Sequence, residues 1–95
     1  MLVYKAAYVT SNDGWVVGQV LDFPGVVSQG RDLEDARRML GAALVDVAES
    51  LLLDGQPLPQ ADASLTDESA DLEEPIYLVL DAGVHVKTVV DRVLS

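Results

Sequence analysis

Apolar residues recur at Leu33, Ala36, Leu40, Ala43, Leu44, Val47 and Leu51, a spacing of i, i+3, i+4, i+7 that sets them on one face of a helix. Both ends of this stretch carry boundary signals. Asp32 stands where an N-cap belongs, Asp35 follows three residues later as a weak capping-box partner, and Glu34 and Asp35 sit near the positive end of the helix dipole. Gly55 follows the last periodic residue, and Pro57 and Pro59 lie beyond it, a normal helix stop. Before the helix the period changes to two. Leu2–Thr10 is rich in Val, Tyr and Thr and predicts a strand; Ser11-Asn12-Asp13-Gly14 predicts a hairpin turn; Trp15–Leu21 returns as a second strand. In that strand Trp15, Val17, Gln19 and Leu21 point one way, and Val16, Gly18 and Val20 the other. Neither set is fully polar, which predicts a sheet covered by the helix on one side and by a partner on the other. Phe23-Pro24-Gly25 breaks the strand, and Val26–Gln29 predicts a short third one.

Beyond the helix the pattern fades. Gln60–Glu74 holds Asp62, Asp67, Glu68, Asp71, Glu73 and Glu74, no basic residue and little apolar periodicity, which predicts an exposed, mobile acidic loop closed by Pro75. The continuous apolar run Ile76–Asp81 predicts a buried fourth strand. In the tail, residues 84–95, Val84 and Val86 alternate as in a strand, whereas Val86, Val89, Val90, Val93 and Leu94 suit a short amphipathic helix with Lys87 and Asp91 paired. The reading adopted is a strand to about Val86 and then a short helix. No internal repeat is visible. The order β-β-β-α-β, with one long helix on one face of a small antiparallel sheet, is an α+β arrangement.

Composition narrows the functional classes. The 95 residues predict one domain, 1–95, near the lower end of what buries an adequate core alone. With aromatics at 5% the core is aliphatic and small, so self-association into a dimer or tetramer is expected. The formal charge of −10 argues against nucleic acid, whose binding depends on Lys and Arg releasing counterions, and against an anionic membrane surface. It suits a basic protein partner, and equally it keeps a small protein soluble. Cysteine is absent, which excludes disulfides and thiolate zinc sites. The first ten residues lack the features of a signal peptide and no run is long enough to span a bilayer, so a cytoplasmic location is expected.

Candidate chemistry is sparse. His85, the only histidine, has no sequence-adjacent partner for acid–base or metal chemistry and reads as structural or surface. Asp13, Asp22 and Asp81 admit a reading as remnants of a two-metal carboxylate cluster, but they occupy a turn and strand ends rather than mid-strand positions, and the structural reading is preferred. The acids of 60–74 lack calcium-loop spacing. Ser28 and Ser50 lie in no nucleophile elbow. No cofactor or metal is expected. Tyr4, Tyr8, Trp15 and Phe23 read as core, with one or two placed at an interface if the sheet is half covered. Arg37 and Arg38 read as a solvated face or as partners of Glu34 and Asp35. Leu51-Leu52-Leu53 exceeds one stripe, so one of the three is expected outside the core.

Gly14-Trp15-Val16-Val17, then Asp22-Phe23-Pro24-Gly25-Val26-Val27, then Gly30-Arg31-Asp32-Leu33-Glu34-Asp35-Ala36 resembles the HicB family of bacterial antitoxins, and Gly55-Gln56-Pro57-Leu58-Pro59 extends the match. The resemblance covers Tyr4 to Pro59 and, more loosely, Ile76–Asp81. It implies a partial RNase H-like domain with no catalysis of its own, which binds a small basic RNA-cleaving toxin of the HicA type and covers its catalytic surface. The contacts expected are the sheet face and edge at Trp15, Val17, Asp22, Phe23, Pro24 and Gly25, with Asp67, Glu68, Asp71, Glu73 and Glu74 supplying charge complementarity. Two departures stand out. The residues after the last strand are too few for the DNA-binding module that many members carry, and the acidic loop is longer than the family pattern suggests. Short stand-alone relatives of unassigned role also exist, so a homo-oligomer without a toxin stays open, as does, more distantly, a degenerate RNase H-like nuclease.

Overall fold

Described as a computed structural model, the structure covers residues 1–80 and 86–90. Three strands come first, β1 (Leu2–Thr10), β2 (Val16–Val20) and β3 (Val27–Gly30), then the helix α1 (Leu33–Leu53), then β4 (Leu72–Leu80) and β5 (Val86–Val90). All pairings are antiparallel and the sheet order is β3-β2-β1-β4-β5. β1, first in the chain, is therefore central.

The β1–β2 connection is the tight turn that Asp13-Gly14 announces: the Gly14 N–H donates to Ser11 O at 3.0 Å, and the Ser11 N–H to Trp15 O at 2.7 Å. The helix starts as its sequence dictates, with the Asp32 carboxylate accepting from the Asp35 N–H at 2.8 Å. Asp35 reciprocates one residue further out than a capping box requires, accepting from the Arg31 N–H at 3.0 Å. At the far end the Gln56 N–H donates to Leu51 O at 2.8 Å and the Gly55 N–H to Leu52 O at 3.1 Å, a Schellman closure that needs Gly55 at φ +71°.

One face of α1, carrying Ala36, Leu40, Leu44 and Ala48, packs on the sheet residues Tyr4, Ala6, Tyr8, Val16, Val20, Ile76 and Leu78. Phe23 and Val26 close one end of this core, and Phe23 meets Tyr4 edge-on at 5.1 Å between ring centroids. Gly30 allows the helix to approach β3: a Cβ there would lie 2.3 Å from the Ala36 backbone nitrogen. Of the leucine triplet, Leu51 packs against the core, while Leu52 and Leu53 face solvent.

Two expectations are corrected beyond the helix. β4 begins at Leu72, so the connecting loop ends at Asp71, and Pro75 lies inside the strand, opposite Lys5. A proline is tolerated there because β5 pairs only with Ile76–Leu80, leaving Pro75 with a single neighbouring strand among the described residues. The tail helix is also replaced, at least over Val86–Val90, by a strand on the edge of β4. Val86, Thr88, Val89 and Val90 are β-branched, and such residues prefer a free strand edge to a short, uncapped helix. The expectations for 81–85, His85 and Asp81 included, and for 91–95 lie outside the described residues.

Candidate functional site

The sheet side opposite α1 is assembled by register. Val9, Val17 and Gln29 lie in one cross-strand row, Glu73, Ala7, Gln19 and Val27 in the next, then Lys5 with Pro75 and Val3 with Tyr77. Val27 is 55% exposed, Val3 44% and Trp15, just ahead of β2, 39%. Loop 60–71 lies over this side at Lys5 and Glu73, and Ala7 is buried, so the part left uncovered is the apolar patch that includes Val3, Trp15 and Val27.

Loop 60–71 is exposed, but its carboxylates are turned onto the protein's own backbone. Asp22, 6% exposed, accepts from the Lys5 N–H and from the Asp62 N–H, each at 2.9 Å, and so ties the end of β2 to β1 and to the loop. The Lys5 ammonium donates to Ala63 O at 2.8 Å and Leu65 O at 2.7 Å and lies 3.7 Å from Glu73. Glu73 accepts from the Thr66 hydroxyl at 2.6 Å and the Asp67 N–H at 2.9 Å. Asp71 accepts from the Thr10 N–H at 2.7 Å, and the Tyr4 hydroxyl donates to Pro59 O at 2.7 Å. The mobility expected from composition thus gives way to a tethered loop.

These bonds stabilise the ionised acids. The Thr66 hydroxyl, then the Asp67 N–H, hold Glu73 below the usual carboxylate range; the Ser69 hydroxyl and N–H do the same for Asp67. On the helix side, Glu74 forms a two-pronged pair with Arg37, at 2.7 Å to Nε and 2.9 Å to Nη2, and Arg37 also reaches Glu34 at 3.4 Å. Burial, with Glu74 adding to it and Arg37 opposing, pushes the nearby Tyr8 phenol up to about 12.

The predicted contact residues therefore divide. Trp15 and Val17 lie on the uncovered face, Pro24 and the positive-φ Gly25 are exposed in the turn after β2, and Glu68 is exposed in the loop. Asp67, Asp71 and Glu73 stand at the loop with part of their acceptor capacity used inside it. Asp22 and Phe23 are buried, and Glu74 is bound to Arg37 on the opposite side of the sheet; the structure does not bring these three to the face. Val3, Val27 and Gln29, which do line the face, escaped sequence reading. Strict two-residue alternation carried through β1 and β3 would have found them.

A pocket of about 580 Å³ lies between β1, β4 and the loop, bordered by Val3, Lys5, Ala61, Ala63, Glu73 and Pro75. Its polar groups are already engaged within the protein, Lys5 by two carbonyls and Glu73 by two donors. Among the described residues no group of three His, Cys, Asp or Glu is placed to hold a metal ion, and no helix is long and apolar enough to cross a membrane.

No protein-family model and no curated protein sequence matches the chain. Among solved structures, the crystal structure of the N-terminal domain of the Burkholderia pseudomallei antitoxin HicB is similar at a TM-score of 0.72 and 21% identity, over 83% of this chain and 100% of that one. The α+β fold of this protein is that of a HicB N-terminal domain.

Proposed function

We propose that this protein is a non-enzymatic, cytoplasmic antitoxin that binds a small basic RNA-cleaving toxin of the HicA type and covers its active surface. The observation that carries the reading is the likeness to the whole N-terminal domain of an antitoxin, with Trp15, Val27 and Val3 left exposed on the sheet side away from α1. The partner lies on that face at Trp15 and Val17, and its basic rim meets the acids at the loop end, Asp67, Glu68 and Asp71. Asp22, Phe23 and Glu74 act behind the face, as supports. The net charge of −10 disfavours direct contact with nucleic acid and favours a cationic protein.

The test is co-expression with each small basic open reading frame encoded beside this one, read by growth rescue and co-purification. A toxic neighbour neutralised in a stable complex is the expected result. In that complex Trp15→Ala weakens binding about thirtyfold, as expected for a central aromatic anchor. Absence of any complex at micromolar concentration overturns the reading.

A further inference from the structure

Residues 14–30 expose no charged side chain. The stretch spans β2, β3 and their connection, and its one ionisable residue, Asp22, is buried with both carboxylate oxygens bound to backbone N–H groups. This is unusual on a chain of net charge −10. β3 is also the terminal strand at this end of the sheet, and no further strand pairs with it among the described residues. Its sequence, Val27-Ser28-Gln29-Gly30, has no lysine or proline, and its pairing with β2 is continuous, without a bulge, so of the usual protections of a sheet edge these are missing and only its short length remains. The other terminal strand, β5, has Lys87 in its sequence.

We propose that a second copy of this chain pairs with this edge, β3 against β3 about a two-fold axis, joining two five-stranded sheets into one. Charge selects the occupant. Two copies, each strongly acidic, repel one another over most of their surfaces and approach most easily where both are neutral. The β3 edge offers a basic partner no charge attraction, and such a partner is drawn instead to the loop acids and the face at Trp15 and Val17. The pleat then restricts the register. An axis perpendicular to the sheet keeps corresponding faces on the same side, so opposed residues must share a face. Centring on Ser28 satisfies this with three of the four residues of β3: Ser28 meets Ser28 of the second copy, and Val27 meets its Gln29. Val27, 55% exposed on the apolar face, gains a covering neighbour, while Trp15 and Val17 stay open on the doubled sheet. Three residues make a short pairing, so the dimer is micromolar rather than nanomolar.

The inference stands apart from the toxin reading, because its test uses this chain alone. Sedimentation equilibrium of the purified protein over a range of concentrations should show a monomer–dimer equilibrium. Val27→Glu and Gln29→Glu, both at exposed positions, each raise the dimer Kd about tenfold or more, while circular dichroism stays native. Glu68→Gln in the acidic loop leaves the dimer intact. As the chain has no cysteine, Ser28→Cys supplies a single thiol, and the register predicts that mild oxidation links it across the axis much faster than Glu68→Cys. A protein that stays monomeric at every concentration overturns the proposal. So does a dimer that both glutamate variants leave unchanged and Ser28→Cys does not cross-link.

Discussion

Asp22 and Gly30 show what a single residue contributes at long range. Asp22 holds two backbone N–H groups, of Lys5 and Asp62, that are far apart in the chain. Asp22→Ala leaves both donors without their partner and is expected to lower the unfolding free energy by about 2–3 kcal/mol in urea titrations; Asp22→Asn, which keeps one acceptor oxygen, costs less. The sequence places this aspartate at a strand end, from which a surface role follows naturally. Its burial depends on the residue-62 backbone arriving from the loop, which no local pattern records. The burial of Phe23 agrees with its reading as core, and its edge-on partner Tyr4 lies in another strand. Gly30 is the opposite case, a small residue whose turn role is legible and whose packing role is not. Gly30→Ala drives a methyl group into the α1 backbone at Ala36 and is expected to destabilise by about 1–3 kcal/mol or more, measured by thermal melting.

At the scale of elements, α1 was legible almost residue by residue because stripe, cap and stop all lie within its own sequence. Asp32→Ala removes the cap and is expected to cost about 1 kcal/mol. β4 and β5 were less legible: β4 extends through Glu73, Glu74 and Pro75, residues that alone argue for a loop, because β1 supplies the pairing. The loop is held to these strands by ionised carboxylates, which fixes its response to acid. Asp62, Asp67 and Glu73 all titrate below their ordinary values, chiefly through Ser64, Ser69 and Thr66 respectively. Groups depressed in the folded state add stability that is complete above the unfolded carboxylate pKa of about 4 and is lost as pH falls through the lower folded values. The loop amides of Ser64, Asp67 and Ser69 should therefore lose hydrogen-exchange protection, relative to the core strands, between about pH 4 and 2. Tyr8 has the reverse sign. Its raised pKa contributes stability present below the unfolded value of 10.0 and lost as pH rises through about 12, and absorbance titration should show one phenol ionising that late.

For the whole molecule, the separation of an acidic loop end from a neutral β3 end predicts opposite responses to salt. Binding of a basic partner through the loop acids weakens as ionic strength rises, whereas self-association through the uncharged strip tightens, because screening removes repulsion between two acidic copies. Measuring both Kd values from low to high salt checks the division in one experiment. This division was half legible, for the absence of charge in 14–30 is plain in the sequence, but only the sheet order makes those residues one end of the molecule. That same order has a consequence in time. β1 is first in the chain and middle in the sheet, paired on one side with nearby β2 and on the other with β4, which begins at Leu72. The hairpin and helix can assemble from neighbouring contacts, but closing the β1–β4 ladder must wait for some sixty residues of intervening chain and the loop-closure entropy they carry. Until then a nine-residue central strand stands open along one edge. The strand that ends up best protected is thus the one left open longest in a newborn chain, and, if the Asp22 contacts to Lys5 and Asp62 form before β4 docks, Asp22→Ala is expected to slow refolding as well as to lower stability.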